Sequence, residues 1–134
     1  MRVAIISEVF LPKIDGVVNR TLNLIRHLVR YGDEVLVICP QAHGCTLCPV
    51  PVVGIPSFSF RPYPEYRIGL PDRRVTDTIK RFAPEVIHYI NPFAFGFRCY
   101  DVLRKARVGV PTVFSFHTLY GEFVKQYTPR IWPA

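Results

Sequence analysis

The sequence predicts an α/β fold with a doubly wound parallel sheet, and three observations carry that prediction. Short continuous apolar runs (RVAIIS, DEVLVIC, EVIHYI and TVFSF) recur along the chain, as strands buried on both faces require. Between them the apolar period lengthens to that of an amphipathic helix. Thirteen prolines in 134 residues argue against a long helix bundle, because proline breaks helix interiors and central strands alike.

Taken in order, Arg2 to Ser7 is the first strand, and Glu8 to Gly16 is a turn-rich loop holding Pro12 and Asp15-Gly16. Val18, Leu22, Ile25 and Val29 then fall at i, i+4, i+7 and i+11, one stripe of a helix whose other side carries Asn19, Asn23, Arg26 and Arg30. Gly32 stops this helix, and Asp33 to Cys39 gives a second buried strand. Val52, Val53 and Ile55 suit a short third strand, followed by an aromatic and basic loop from Ser57 to Arg67. Pro71 reads as a first-turn residue of a second helix with Val75, Ile79 and Phe82 as its buried stripe, ended by Pro84. Glu85 to Ile90 is a fourth strand and Asn91-Pro92 a turn. A third helix lies within Phe93 to Arg107, its basic end suited to the negative C-terminal dipole. Thr112 to Phe116 is the last strand, and a short helix is expected over Glu122 to Tyr127.

Forty-nine per cent apolar residues and a net charge of +7 place the chain among globular proteins with a leaning toward anionic partners. Glu8 interrupts the N-terminal apolar run too early for a secretory signal. Prolines 40, 49, 51 and 56 rule out a spanning helix in the longest uncharged stretch. Cytosolic, reduced cysteines are the corresponding expectation. Cys39, His43, Cys45 and Cys48 fall within ten residues and could be read as a zinc knuckle or a redox Cys-x-x-Cys. Structural zinc sites usually draw on two chain segments, and Pro49-Val50-Pro51 opens no helix after Cys48, so plain loop cysteines and no metal site are expected.

Ligands of parallel sheets sit outside the carboxyl ends of the strands. That rule selects Glu8 to Gly16, the loop after Cys39, Ile90 to Pro92 and His117-Thr118 as one side of one crevice. The first loop lacks the three glycines of a dinucleotide fingerprint. Gly16 stands directly before a helix, where free N–H groups can hold a phosphate, or it simply makes the turn. His117 at a strand end is either a structural residue or a functional one. His88 is expected packed with its ring nitrogens bonded, and His27 exposed. Phe58, Phe60, Tyr63 and Tyr66 beside Arg61 and Arg67 suit an anionic membrane face, stacking on single-stranded nucleic acid, or a loop whose rings cover the core.

The segments RVAIISEVFLPKIDGVV and LVRYGDEVLVICP, followed by PEVIHYINPF and GVPTVFSFHT, resemble the signatures of family-4 glycosyltransferases in the expected order. The Phe-Leu-Pro-x-x-Asp-Gly-Val-Val form looks like the branch of sulfoquinovosyltransferases and bacterial lipid-linked mannosyl- or glucosyltransferases. The resemblance implies a Rossmann-like domain, the N-terminal half of a GT-B enzyme, that transfers a sugar from a sugar nucleotide with retention of configuration. The sugar nucleotide is a substrate, and no metal or other cofactor is implied. Gly16 and Val17 land on the loop that approaches the donor diphosphate. His117 lands on the histidine that contacts the donor sugar and steadies the developing positive charge. Asp15, Arg20 and Asn91 are acceptor-side candidates. Asp15 stands where many relatives carry a first glycine, which puts one donor contact in question.

On this resemblance residues 1–134 are an acceptor-side domain, and the donor-binding C-terminal domain is expected to be missing or supplied by a partner chain. The isolated chain is accordingly expected not to turn over. The partners implied are a sugar-nucleotide donor and a hydroxyl acceptor, with a membrane lipid favoured, and no nucleic acid is expected. The implied location is cytoplasmic, peripheral at the inner membrane face. The alternatives are a non-catalytic truncated fragment and a nucleotide- or nucleic-acid-binding module.

Overall fold

The computed structural model describes residues 1–8, 10, 16–40, 48–60, 63–69 and 71–117, with the backbone alone described at 57–60 and 63–69. The elements run β1 (Arg2–Ser7), α1 (Gly16–Arg30), β2 (Glu34–Pro40), β3 (Val52–Ile55), β4 (Ser57–Phe60), β5 (Tyr63–Gly69), α2 (Arg73–Phe82), β6 (Val86–Ile90), α3 (Ala94–Lys105) and β7 (Thr112–Ser115). Five strands form one sheet in the order β3-β2-β1-β6-β7, and every pairing in it is parallel. The chain therefore starts in the middle, winds outward one way to β3, then returns to build β6 and β7 on the other side. This is the doubly wound, Rossmann-like arrangement.

Strand periodicity divides the core into two layers. Val3, Ile5, Val35, Val37 and Cys39 pack with Val18, Leu22 and Ile25 of α1 on one face. Ala4, Ile6, Leu36, Ile38, Ile87 and Tyr89 pack with Val75, Ile79, Phe95, Cys99 and Leu103 of α2 and α3 on the other. A continuous apolar run such as Val3-Ala4-Ile5-Ile6 is what a strand covered on both faces needs.

Four local expectations are corrected. Val29 is exposed, because in the last turn of α1 Leu28 is the residue that packs against the core. The 57–67 segment is not a loop: β4 and β5 pair antiparallel as a separate two-stranded sheet, with a register shift between Ser59 and Phe60. The Ser-Phe-Ser-Phe alternation there has the strand period of two. Pro71 precedes α2 rather than opening it, since Asp72 is the N-cap and its Oδ1 accepts the Arg74 N–H at 2.8 Å. The helix stops at Ala83, in a left-handed conformation with φ 52°, one residue ahead of Pro84. The helix expected at 122–127 lies outside the described residues, as do Asp15, His43 and Cys45. No helix among the described residues is long and apolar enough to cross a membrane.

Candidate functional site: the carboxyl edge of the parallel sheet

Parallel pairing puts the ends of β1, β6 and β7 side by side, and polar residues that the core excludes collect there. Among the described residues the buried polar side chains are Ser7, Glu8, Thr21 and Asn91. Three of these four stand at or just beyond the end of β1 or β6.

Glu8 is 2% exposed, and its carboxylate faces the first turn of α3. It accepts N–H bonds from Phe93 at 3.0 Å, Phe95 at 2.9 Å and Gly96 at 2.8 Å. The N-cap residue Phe93 makes no side-chain cap of its own. A carboxylate from the other end of the sequence thus satisfies the orphan donors and complements the helix dipole. Gly96 fits this close approach: a Cβ there would lie 2.6 Å from Pro92 Cβ and 3.4 Å from Glu8 Oε2. Burial, and secondarily the Glu8 charge, push the Cys99 thiol far above its ordinary range, which leaves that cysteine an inert core residue.

Asn91 takes a left-handed backbone, φ 49°, which asparagine tolerates better than most residues. Its N–H donates to the Ser115 carbonyl at 2.6 Å, and its Oδ1 accepts the His117 N–H at 3.1 Å. One buried residue therefore clamps the chain on both sides of Phe116. Ser115 and His117 project from the same side of the strand, two residues apart. The His88 Nε2 lies 2.9 Å from Ser115 Oγ, and Ser115 Oγ lies 3.4 Å from His117 Nε2. On the far side of that exposed ring, Arg20 Nη1 stands 3.4 Å from Nδ1. Burial, and secondarily the neighbouring His117, hold the His88 pKa below its ordinary 6.5.

The fold thus brings four of the six residues singled out from the sequence, Gly16, Arg20, Asn91 and His117, to one edge, with α1 as the bridge. Gly16 is the first residue of α1, and a Cβ built there meets nothing within 4 Å among the described residues. Packing against those residues does not demand glycine at that position. Val17 is half-buried against the α1-side core. Arg20 sits in the second turn of α1, and its guanidinium reaches across to the end of β7. Asn91 forms the floor, with its Oδ1 engaged by His117. Asp15 lies outside the described residues.

Sequence reading placed Glu8 at this edge through the carboxyl-end rule but missed its bond to α3, and it missed Ser115 altogether. Glu8 stood out as the charge that ends the first apolar run and as the first residue of the crevice loop. An acid directly after a buried strand was the available signal, but its target, the start of α3, lies 85 residues away. A cavity of about 340 Å³ lined by Pro71, Phe97, Arg98, Asp101 and Val102 shares no residue with this edge.

The chain is similar in sequence to known glycosyltransferases. A GDP-mannose-dependent alpha-mannosyltransferase of Mycolicibacterium smegmatis is 38% identical over 134 residues, covering 95% of this chain and 35% of the relative. An alpha-monoglucosyldiacylglycerol synthase of Acholeplasma laidlawii is 31% identical, covering 92% of this chain and 31% of the relative. A sulfoquinovosyl transferase of Arabidopsis thaliana is 31% identical, covering 86% and 22%. The chain spans about a third of the length of the first two of these relatives. No solved structure matches it significantly. The sequence profile named Glycosyltransferase Family 4 matches residues 14–134, nearly the whole chain, and the chain belongs to that family.

Proposed function

We propose that this chain is the acceptor-side half of a retaining glycosyltransferase that moves a hexosyl group from a sugar nucleotide to a membrane-lipid hydroxyl. The observation that carries this reading is the placement of the α1 start at Gly16 with Arg20, Asn91 and His117 at the carboxyl edge of a parallel sheet. Relatives named for GDP-mannose and for monoglucosyldiacylglycerol support the classes of donor and acceptor.

In the proposed reaction the bond from the anomeric carbon to phosphate breaks and the nucleoside diphosphate leaves with the electron pair. The acceptor oxygen bonds to the same face of the sugar, and its proton passes to the departing diphosphate. No metal or other cofactor enters this scheme, and the sugar nucleotide is consumed as substrate. The N–H groups at the start of α1, Gly16 and Val17, suit the negative charge that grows on the leaving group. His117 meets the sugar where positive charge develops. Arg20 and Asn91 serve the acceptor side, and the same role is assigned to Asp15 from its place in the sequence. A second, donor-binding domain completes the site, and the assembled enzyme works as a peripheral protein at the cytoplasmic membrane face.

The test supplies radiolabelled GDP-mannose or UDP-glucose with diacylglycerol-containing vesicles to the polypeptide carrying both halves, and to the 134-residue chain alone. Labelled lipid with the donor's anomeric configuration is expected from the former and none from the latter. Replacing His117→Ala should lower transfer by roughly 100-fold or more, the scale for losing one group that steadies transition-state charge. Inverted product, or no labelled lipid from any donor, would overturn the reading.

A further inference from the structure

His88 and Ser115 have no part in the scheme above, yet Ser115 contacts His117 and His88 reaches it through Ser115. The chain of contacts runs Arg20 Nη1 to His117 Nδ1 at 3.4 Å, His117 Nε2 to Ser115 Oγ at 3.4 Å, and Ser115 Oγ to His88 Nε2 at 2.9 Å. The two 3.4 Å contacts are long for hydrogen bonds, so their direction follows from the donor inventory of the groups rather than from length.

A guanidinium has five N–H donors and no acceptor. In the Arg20 contact the only favourable arrangement leaves His117 Nδ1 bare. A neutral imidazole carries one N–H, so the His117 proton sits on Nε2 and faces Ser115 Oγ. The hydroxyl, receiving there, points its own hydrogen to His88 Nε2 along the shortest contact of the three. His88 Nε2 is then bare, and its proton lies on Nδ1. Reversing the series would set a His117 Nδ1–H against the guanidinium N–H. Arg20 therefore sets a polarity that Ser115 transmits between two rings on neighbouring strands.

We propose that His88 is a positioning residue for His117: through the Ser115 hydroxyl it holds the His117 ring as the Nε2–H tautomer, with Nδ1 left as an acceptor. The strand register supports the arrangement, because Ile90 pairs with Ser115 and His88 with Val113, which places His88 and Ser115 on the same face of the sheet. The Asn91 clamp fixes the His117 backbone while this relay fixes its ring. The depressed pKa of His88 fits a ring that stays neutral and accepts a hydrogen bond. For transfer, which rests on the reading of His117 given above, a ligand that displaces Arg20 meets a lone pair at Nδ1. The ring then takes a sugar hydroxyl as a donor.

The experiment is long-range proton–nitrogen correlation of the imidazole rings in the 15N-labelled chain at alkaline pH, where the rings are neutral. The four histidines, His27, His43, His88 and His117, are assigned by single His→Gln substitutions. His88 is expected as the Nδ1–H form, which a free imidazole disfavours, and His117 as the Nε2–H form. Ser115→Ala should return His88 toward the tautomer mixture of a free ring, and Ser115→Thr should restore the original pattern. Arg20→Gln, at an exposed position, should loosen the His117 preference without touching the core. Finding His88 protonated at Nε2, or finding its tautomer unchanged in Ser115→Ala, would overturn the relay. This measurement needs no turnover, so its failure leaves the transfer reading standing, and a failed transfer assay leaves the relay standing.

Discussion

β1 and β7 are both parallel neighbours of β6, yet they are held in opposite ways. In β1 every residue after Arg2 is buried, with α1 on one side and α2 and α3 on the other. In β7 the burial pattern is exposed at three positions and intermediate at the fourth; Val113 is 49% exposed, and Phe116 just beyond the strand is 56% exposed. Pairwise contacts to β6 replace burial at β7: the ladder itself, the Asn91 clamp, the His88–Ser115 hydrogen bond, and Phe114 stacked on Tyr89 with ring centroids 5.0 Å apart. The difference separates stability from placement. Apolar burial makes the centre of the sheet strong and indifferent to detail, whereas a few directional contacts aim His117 at the edge.

The largest test of that contrast is a matched pair of truncations. Ile5→Ala removes a fully buried side chain at the centre and should cost about 2–5 kcal/mol. Val113→Ala, on the exposed strand, should stay within about 0.5 kcal/mol. Urea unfolding midpoints read both. Equal losses would show that β7 is as firmly packed as β1 and would dissolve the comparison.

A smaller effect is expected where the two regions join. Glu8 follows β1 but serves α3, which leads into β7. Glu8→Ala leaves the Phe95 and Gly96 N–H groups buried without that acceptor, a cost of roughly 2–3 kcal/mol. Glu8→Gln keeps one acceptor oxygen but turns an amide NH₂ toward the same donors, and should lose about half as much. Gly96→Ala should also destabilise, by about 1–3 kcal/mol, despite alanine's better helix propensity, because its Cβ would strike Pro92. A neutral or stabilising Gly96→Ala would mean that the Glu8 cradle has room to spare.

The same division explains what was legible in the sequence. β1, β2 and β6 were plain because burial on both faces writes itself as an unbroken apolar run. The α1 stripe was plain for the same reason, apart from Val29, whose place in the last turn periodicity could not reveal. Gly16 and His117 stood out through local position and family resemblance. Ser115 and the contacts of Glu8 and Arg20 were not visible, because each meets a partner far away in the chain: Arg20 meets His117 across 97 residues and Glu8 meets Gly96 across 88. Such pairings depend on strand order, and no local pattern encodes strand order. The hairpin of β4 and β5 was missed because its prolines and aromatic residues read as a loop.

The smallest expected effect, a pH dependence, sharpens the contrast between the two seams of the sheet. Burial and the nearby His117 lower the His88 pKa in the folded chain below the ordinary 6.5 that the unfolded chain restores. As pH falls through 6.5 the unfolded state therefore takes up a proton that the folded state still refuses. Unfolding gains, and stability drops until the folded pKa is passed; above about pH 7 this group contributes no slope. His88→Gln removes the titration while keeping an acceptor for Ser115, so its loss of stability on acidification from pH 8 to 5 should be smaller than that of the wild type. Val37→Ala, in the seam between β1 and β2, deletes apolar surface without touching a titrating group, and should lower the whole curve in parallel. Curves of equal slope for the wild type and His88→Gln would mean that His88 is solvated in the folded chain as it is in the unfolded one. The polar seam between β6 and β7 would then be open to water, and the contacts that aim His117 would have to lie in the Asn91 clamp alone.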